Sequence, residues 1–198
     1  MPKSPLLNNI EGKFVNFREV EISDAKFILE LRINPKKDRY INKIENNLQK
    51  QIDYIKHYKT LQNEWYYIVE RKDGTPLGTN SIYPYPIFTE QWKDTKGYVI
   101  DNSQGMLSPG RWVMSDESSV LESLESDYLI KKLFFEHFPY DFAAQIVHKD
   151  NTRVLNFHKN WGSVEIGFED SIDHIMLNFY KENFLKNKSK FERMLYGK

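Results

Sequence analysis

Apolar and polar positions recur along this chain at spacings that predict a series of short elements. Phe14 to Val20 reads as a strand, and Ser23 with Asp24 supplies an N-cap for a helix whose apolar positions are Ala25, Ile28, Leu29 and Leu31. Pro35 stops that helix, and a basic connector from Lys36 to Lys43 leads to a second one with Leu48, Ile52 and Ile55 at helical spacing. Trp65 to Arg71 and Leu77 to Tyr83 are aromatic and β-branched runs, and Asp73-Gly74 between them predicts a hairpin. From Pro84 to Pro109 the pattern dissolves into prolines and turn formers around one apolar run, Tyr98-Val99-Ile100. A connection of that length, 84–109, reads equally as a surface excursion covering a substrate site and as a decorative loop.

Regular patterning returns at Gly110 to Met114, a strand. Ser118 or Ser119 then caps a long helix to about Phe138, with Leu121, Leu124 and Tyr128 starting its buried face, and Pro139 ends it. Phe142 to Val147 is the next strand, and Asp150-Asn151 opens a short helix that Gly162 closes. Val164 to Phe168 and Ile175 to Tyr180 are two last strands, followed by a basic helix from about Lys181 to Tyr196. No internal repeat interrupts this order. It predicts one α/β (α+β) domain over 1–198 with a mixed sheet, 1–12 as an N-terminal extension and 181–198 as a terminal helix.

Composition narrows the chemistry. With 198 residues, 40% hydrophobic and 15% aromatic, the chain can bury one sizeable core. Its 28 basic and 28 acidic residues balance, so no global field steers it toward nucleic acid or an anionic membrane, and neither is expected as a partner. The absence of cysteine excludes disulfides, thiolate metal sites and a cysteine nucleophile. His57, His137 and His174 have no ligand spacing to one another, and no metal is expected. The first ten residues lack a signal peptide's apolar region and no stretch is long enough to span a bilayer, so a cytoplasmic protein is expected, as monomer or homodimer.

The run from Leu133 to Gly162, LFFEHFPYDFAAQIVHKDNTRVLNFHKNWG, contains Asn151, a histidine seven residues later at His158, and a glycine four residues beyond at Gly162. This order of helix, strand, Asn, short helix and Gly resembles the GNAT N-acetyltransferase superfamily. With Gly110-Arg111-Trp112-Val113-Met114 upstream and Ser118 to Ser123 leading the long helix, the chain looks like the branch found in bacterial surface-sugar pathways. The resemblance implies an enzyme that moves an acetyl group from acetyl-CoA to an amine. It also implies a sheet whose adjacent strands splay to admit the pantetheine arm, with helices on both faces.

By that resemblance the cofactor would lie along Trp112, Val113 and Met114 and over the turn holding Ser118, Ser119, Leu121, Glu122 and Ser123, with Asn151, Arg153 and His158 completing its site. A helix N-terminus suits a diphosphate because its free N–H groups carry partial positive charge. The usual Gln/Arg-x-x-Gly-x-Gly/Ala loop is absent, however. Ser118, Leu121 and Ser123 stand at its three places, and Asp116, Glu117 and Glu122 put negative charge beside a negative ligand. Serine hydroxyls can replace some contacts, and loss of binding is the other reading, which would leave a degenerate binding or assembly module.

His158 matches the position of the tyrosine that protonates coenzyme A in many GNAT enzymes, and an imidazolium could give that proton. It shares one helical face with Val154, Phe157 and Trp161, so a core histidine explains it as simply. Asn151 is a catalytic candidate or an ordinary N-cap, and Arg153 a phosphate ligand or a solvated first-turn residue. Glu64, Asp101 and Asp116 are candidates for the base that deprotonates the amine. Arg39, Tyr40 and Tyr83, with Tyr85 beside the last, are acceptor-binding candidates. The acceptor is expected to be a small-molecule amine, a nucleotide-linked amino sugar foremost, with a protein N-terminus or a polyamine as alternatives. The acidic and basic residues of the excursion, Glu90, Asp94 and Asp101 against Lys93 and Lys96, do not decide between them.

Overall fold

The computed structural model describes residues 9–84 and 106–197, so the excursion's Tyr85, its Tyr98-Val99-Ile100 run and Asp101 lie outside the described residues. The chain forms two compact units, residues 1–83 with 110–130, and residues 84–109 with 131–198.

The first unit carries a five-stranded sheet in the order β1 (Asn9–Glu11), β2 (Val15–Glu19), β3 (Trp65–Arg71), β4 (Pro76–Pro84) and β5 (Leu107–Met114). Its hairpin matches the sequence reading, with Trp65 opposite Ile82 and Tyr67 opposite Asn80. β1 does not. The expected extension holds a strand, Asn9 pairing with Arg18 and Glu11 with Asn16. The reason lies far along the chain, where the buried Glu125 carboxylate accepts the N–H groups of Lys13, Phe14 and Val15 at 2.8, 2.6 and 2.8 Å. Gly12 makes the turn into β2, and a Cβ there would stand 2.6 Å from Glu125 Oε2.

Helices α1 (Ala25–Arg32) and α2 (Leu48–Thr60) pack on each other. A short 3-10 turn, Ile22–Asp24, precedes α1, and Asp24 closes it by accepting the Glu21 N–H at 2.7 Å and a forked contact from Arg18. The core here gathers Val20, Ala25, Ile28, Ile55, Tyr58, Tyr66 and Ile68. On α2 the buried positions are Gln51, Ile55 and Tyr58, whereas Leu48, expected inside, is exposed at the first helical position. Tyr58 is buried because its hydroxyl is satisfied twice, donating to Glu19 Oε1 at 2.8 Å and accepting from the Tyr66 N–H at 3.0 Å.

The second unit has the strand order β6 (Phe142–His148), β8 (His174–Tyr180), β7 (Ser163–Glu169), all antiparallel. Helix α4 (Thr152–Asn160) packs its Leu155 against Val147 and Leu177. Helix α5 (Lys181–Tyr196) buries Phe184, Phe191 and Leu195, and Phe191 stacks on Trp161 at 3.6 Å. Long helix α3 (Val120–His137) runs from the first unit into the second, where Phe134 and Phe135 join Phe138, Tyr140, Phe179 and Phe184.

The strands of this fold form two ladders. β5 pairs with β4, β6 pairs with β8, and no ladder joins β5 to β6 among the described residues. Within the second unit the start of β5 does touch β6, through Ser108 Oγ donating to the Ala144 carbonyl at 2.6 Å. Beyond it Pro109 has no N–H to give, and Arg111 takes φ 51°, which no regular strand contains.

Candidate active site

The irregular part of β5 is built by its neighbour β4. Ser81 Oγ donates to the Gly110 carbonyl and Thr79 Oγ1 to the Arg111 carbonyl, both at 2.8 Å, so two hydroxyls add to the pairing of β4 with β5 there. A left-handed residue with a side chain costs about 1–2 kcal/mol, and what holds it is the Arg111 side chain. Its guanidinium is bridged to the buried Glu64 carboxylate and stacks over the rings of Tyr83 at 4.1 Å, Tyr66 at 5.4 Å and Tyr54 at 5.8 Å. Burial works against that charge, and Tyr54 and Glu64 outweigh it, leaving Arg111 firmly protonated. Trp112 Nε1 donates to Ser126 Oγ of α3 at 2.9 Å, which ties the strand's last residues to the helix that follows. Trp112, Val113 and Met114 thus stand on a strand braced by β4 and α3 within one unit.

The turn from β5 into α3 closes on itself. Ser119 is the cap: its Oγ accepts the Glu122 N–H at 3.2 Å, and Glu122 reaches back to the Ser119 N–H at 2.6 Å. Ser118 Oγ donates to the Ser115 carbonyl at 2.8 Å and lies 3.1 Å from Ser123 Oγ. The serine hydroxyls expected to meet a phosphate are engaged by the turn itself. Leu121, expected to start a buried face, is 39% exposed, and Val120 is 73% exposed, because the helix first meets the core one turn later at Leu124.

Two of the three carboxylates expected to repel a negative ligand, Glu122 and Asp116, are paired with cations. Arg71 Nε donates to Glu122 at 2.7 Å, and Arg71 also reaches the Glu117 carbonyl at 2.9 Å. Asp116 bridges to Lys37 and, at 3.2 Å, to Lys36. Those two lysines hold the Asp116 carboxyl below its usual range. Lys36, Lys37 and Arg71 were not among the sequence candidates. The connector's basic character was visible, but nothing local pairs it with an aspartate 80 residues on.

In the second unit Asn151 caps α4, its side chain accepting the Val154 N–H at 3.4 Å, which is the capping reading left open above. Arg153 is exposed on the first turn, as a solvated residue would be. His158 lies in the core, the other of its two readings. The ring is buried against Phe157, Nδ1 lies 3.4 Å from Gln145 Nε2, and burial, followed by the charge of Lys131, pushes its pKa well below the ordinary histidine value. The imidazolium that would donate a proton near neutral pH is the form this environment removes. Lys131 is itself only 1% exposed and lies over Phe179 at 4.6 Å.

Of the acceptor candidates, Tyr83 joins the Arg111 cluster, while Arg39 stacks on Tyr40 at 4.5 Å in a 3-10 turn, Asp38–Tyr40. A cavity of about 220 Å³ opens beside Tyr54, lined by Ile44, Glu45, Asn47, Lys50 and Gln51. Of the base candidates, Glu64 is bridged to Arg111 and Asp116 to the lysines, so neither stands ready as an unengaged carboxylate. Among the described residues no group of three His, Cys, Asp or Glu side chains could hold a metal, and no helix is long and apolar enough to cross a membrane.

No family model matches the chain, and no curated protein matches it in sequence. Solved structures do. The apo form of FdhC, a nucleotide-linked sugar GNAT, matches with a TM-score of 0.75 and 26% identity over 96% of this chain and 99% of its own. The chain is a GNAT-fold acetyltransferase. A GCN5-related N-acetyltransferase from Brucella melitensis shares the GNAT fold at a TM-score of 0.73, with 13% identity over 98% of this chain and 88% of its own. So does spermidine N-acetyltransferase from Vibrio cholerae, in complex with CoA and spermine, at a TM-score of 0.66 and 13% identity, covering 88% of this chain and 99% of its own. The two ladders, the irregular β5 and the capped α3 are this chain's version of that fold.

Proposed function

We propose that the chain transfers the acetyl group of acetyl-CoA to the amine of an acceptor that also carries negative charge, a nucleotide-linked amino sugar. The observation that supports the acceptor class is the charge balance around Tyr54 and Tyr66. Burial raises both phenols, Tyr66 to about 12, while the charges of Arg32 and Arg111 both pull against it. One carboxylate, Glu64, stands against those two guanidiniums. Arg32 Nε is buried without a hydrogen-bond partner among the described residues, a donor that an incoming anion would satisfy. A polyamine would meet two like charges there. The likeness to a nucleotide-linked sugar GNAT at 26% identity leans the same way.

In this reading acetyl-CoA lies with its arm along the backbone of Arg111 to Met114 and its phosphates at the turn before α3. The thioester supplies the activated acyl group. β5 supplies fixed N–H groups for the oxygen that becomes negative as the amine attacks, held in place by Glu64 and the tyrosine rings around Arg111. A second reading, a binding module without catalysis, has one observation in its favour: Ser119 and Glu122 already satisfy each other at the helix start.

An acceptor panel at fixed acetyl-CoA, read by thiol release, tests the reading. Nucleotide-linked amino sugars are expected to give kcat/KM at least about tenfold above the free amino sugars and above spermidine, one good charge-assisted contact being worth that much. Preference for spermidine would overturn the acceptor assignment, and thiol release with none of the amines would favour the module.

A further inference from the structure

The turn that precedes α3 lacks the glycines of a phosphate loop, yet three cations converge on it from elsewhere in the chain. Lys36 and Lys37 arrive from the connector after α1 and Arg71 from the end of β3, all within one unit. Each is held by a carboxylate of the turn, Asp116 or Glu122. The two sets differ in how tightly they are held. Arg71 is fixed by both Glu122 and the Glu117 carbonyl, and Glu122 is buried in its capping box. Asp116 lies on the surface with no such support, and Lys36 beside it is mostly exposed. The Lys36–Asp116 pair is of the exposed kind that contributes little to stability and exchanges readily for another anion, whereas Lys37, on the same carboxylate, keeps only 15% of its side chain exposed and is held over the turn. At the same turn Ser115 Oγ is buried and has no hydrogen-bond partner among the described residues. A strand-to-helix turn with an unsatisfied hydroxyl and two ammonium groups gathered over it, one of them exposed, is suited to an anion larger than a carboxylate.

We propose that Lys36 and Lys37 bind the diphosphate of coenzyme A, leaving Asp116 for the phosphate oxygens and doing with side chains what a glycine-rich loop does with backbone. Asp116 then acts as a placeholder that keeps both ammonium groups over the turn before the ligand arrives. Arg71 stays with Glu122 and prevents that carboxylate from opposing the ligand. This inference rests on the acetyl-CoA reading above and adds to it the side chains that hold the phosphates.

The test is calorimetric titration of coenzyme A into the wild-type protein and into the Lys36→Ala/Lys37→Ala double variant, with circular dichroism and melting temperature to show that both are folded. The double variant is expected to bind at least about tenfold more weakly and with a flatter dependence of affinity on salt, as the loss of two phosphate contacts requires. Dephospho-coenzyme A, which keeps the diphosphate and lacks the 3′-phosphate, is expected to show the same loss. Wild-type binding with an unchanged double variant would overturn the role of the lysines and leave the acetyl-CoA reading intact. A loss seen with coenzyme A but not with dephospho-coenzyme A would move the lysines to the 3′-phosphate and overturn the diphosphate assignment. No uptake by the wild type would overturn the acetyl-CoA reading itself, and this inference with it.

Discussion

The starts of α3 and α4 look alike in sequence, a polar cap before an amphipathic run, and they differ in what surrounds them. At α4 everything is local: Asn151 caps Val154 three residues on, Arg153 points to solvent, and His158 turns into the core. At α3 the local cap is overlaid by residues from three other places, Lys36 and Lys37, Arg71, and Ser115 at the end of β5. A polar cap alone satisfies a helix end. Side chains delivered from a distance make it a place where a charged ligand can bind.

The comparison breaks if α4 proves to be the chemical end. His158 is neutral in the folded state because its pKa is depressed below the ordinary 6.5 it regains on unfolding. Below about pH 6.5 the unfolded chain therefore takes up a proton that the folded chain refuses, and stability falls by up to about 1.4 kcal/mol per pH unit until the folded pKa is reached. Urea unfolding between pH 7 and 5 should show that slope, and His158→Gln should flatten it. A slope unchanged in the variant would mean that the ring is charged when folded, and would restore it as an acid.

A smaller effect sharpens the contrast. Ser119→Ala and Asn151→Ala should each cost about 1 kcal/mol in urea unfolding, since each removes one cap. Coenzyme A should raise the melting temperature of the Asn151 variant as much as that of the wild type, and raise that of the Ser119 variant less. Equal behaviour of the two variants would erase the distinction.

Most of the fold was legible because periodicity carries it. The β3–β4 hairpin, the bounds of α5 and the short α4 follow from runs that any neighbour would respect. β1 was not legible, since three residues become a strand only when a carboxylate more than a hundred positions away gathers the N–H groups of the turn beside them. The site shows the same division. Trp112 to Met114 as the end of a strand, and Ser119 as one of two possible caps, could be placed from pattern and spacing. The bridge of Arg111 to Glu64, the lysines at Asp116 and the burial that neutralises His158 are contacts across the chain, which a linear pattern does not encode.

The central claim is that this fold takes up acetyl-CoA and gives its acetyl group to an amine. Titrating acetyl-CoA into the protein and then adding a nucleotide-linked amino sugar tests it in one vessel, followed by heat on the first addition and by free thiol on the second. Saturable uptake, then thiol release that stops when the amine is exhausted and matches acetylated product mole for mole, is the result expected. Absence of heat together with absence of thiol would contradict the account.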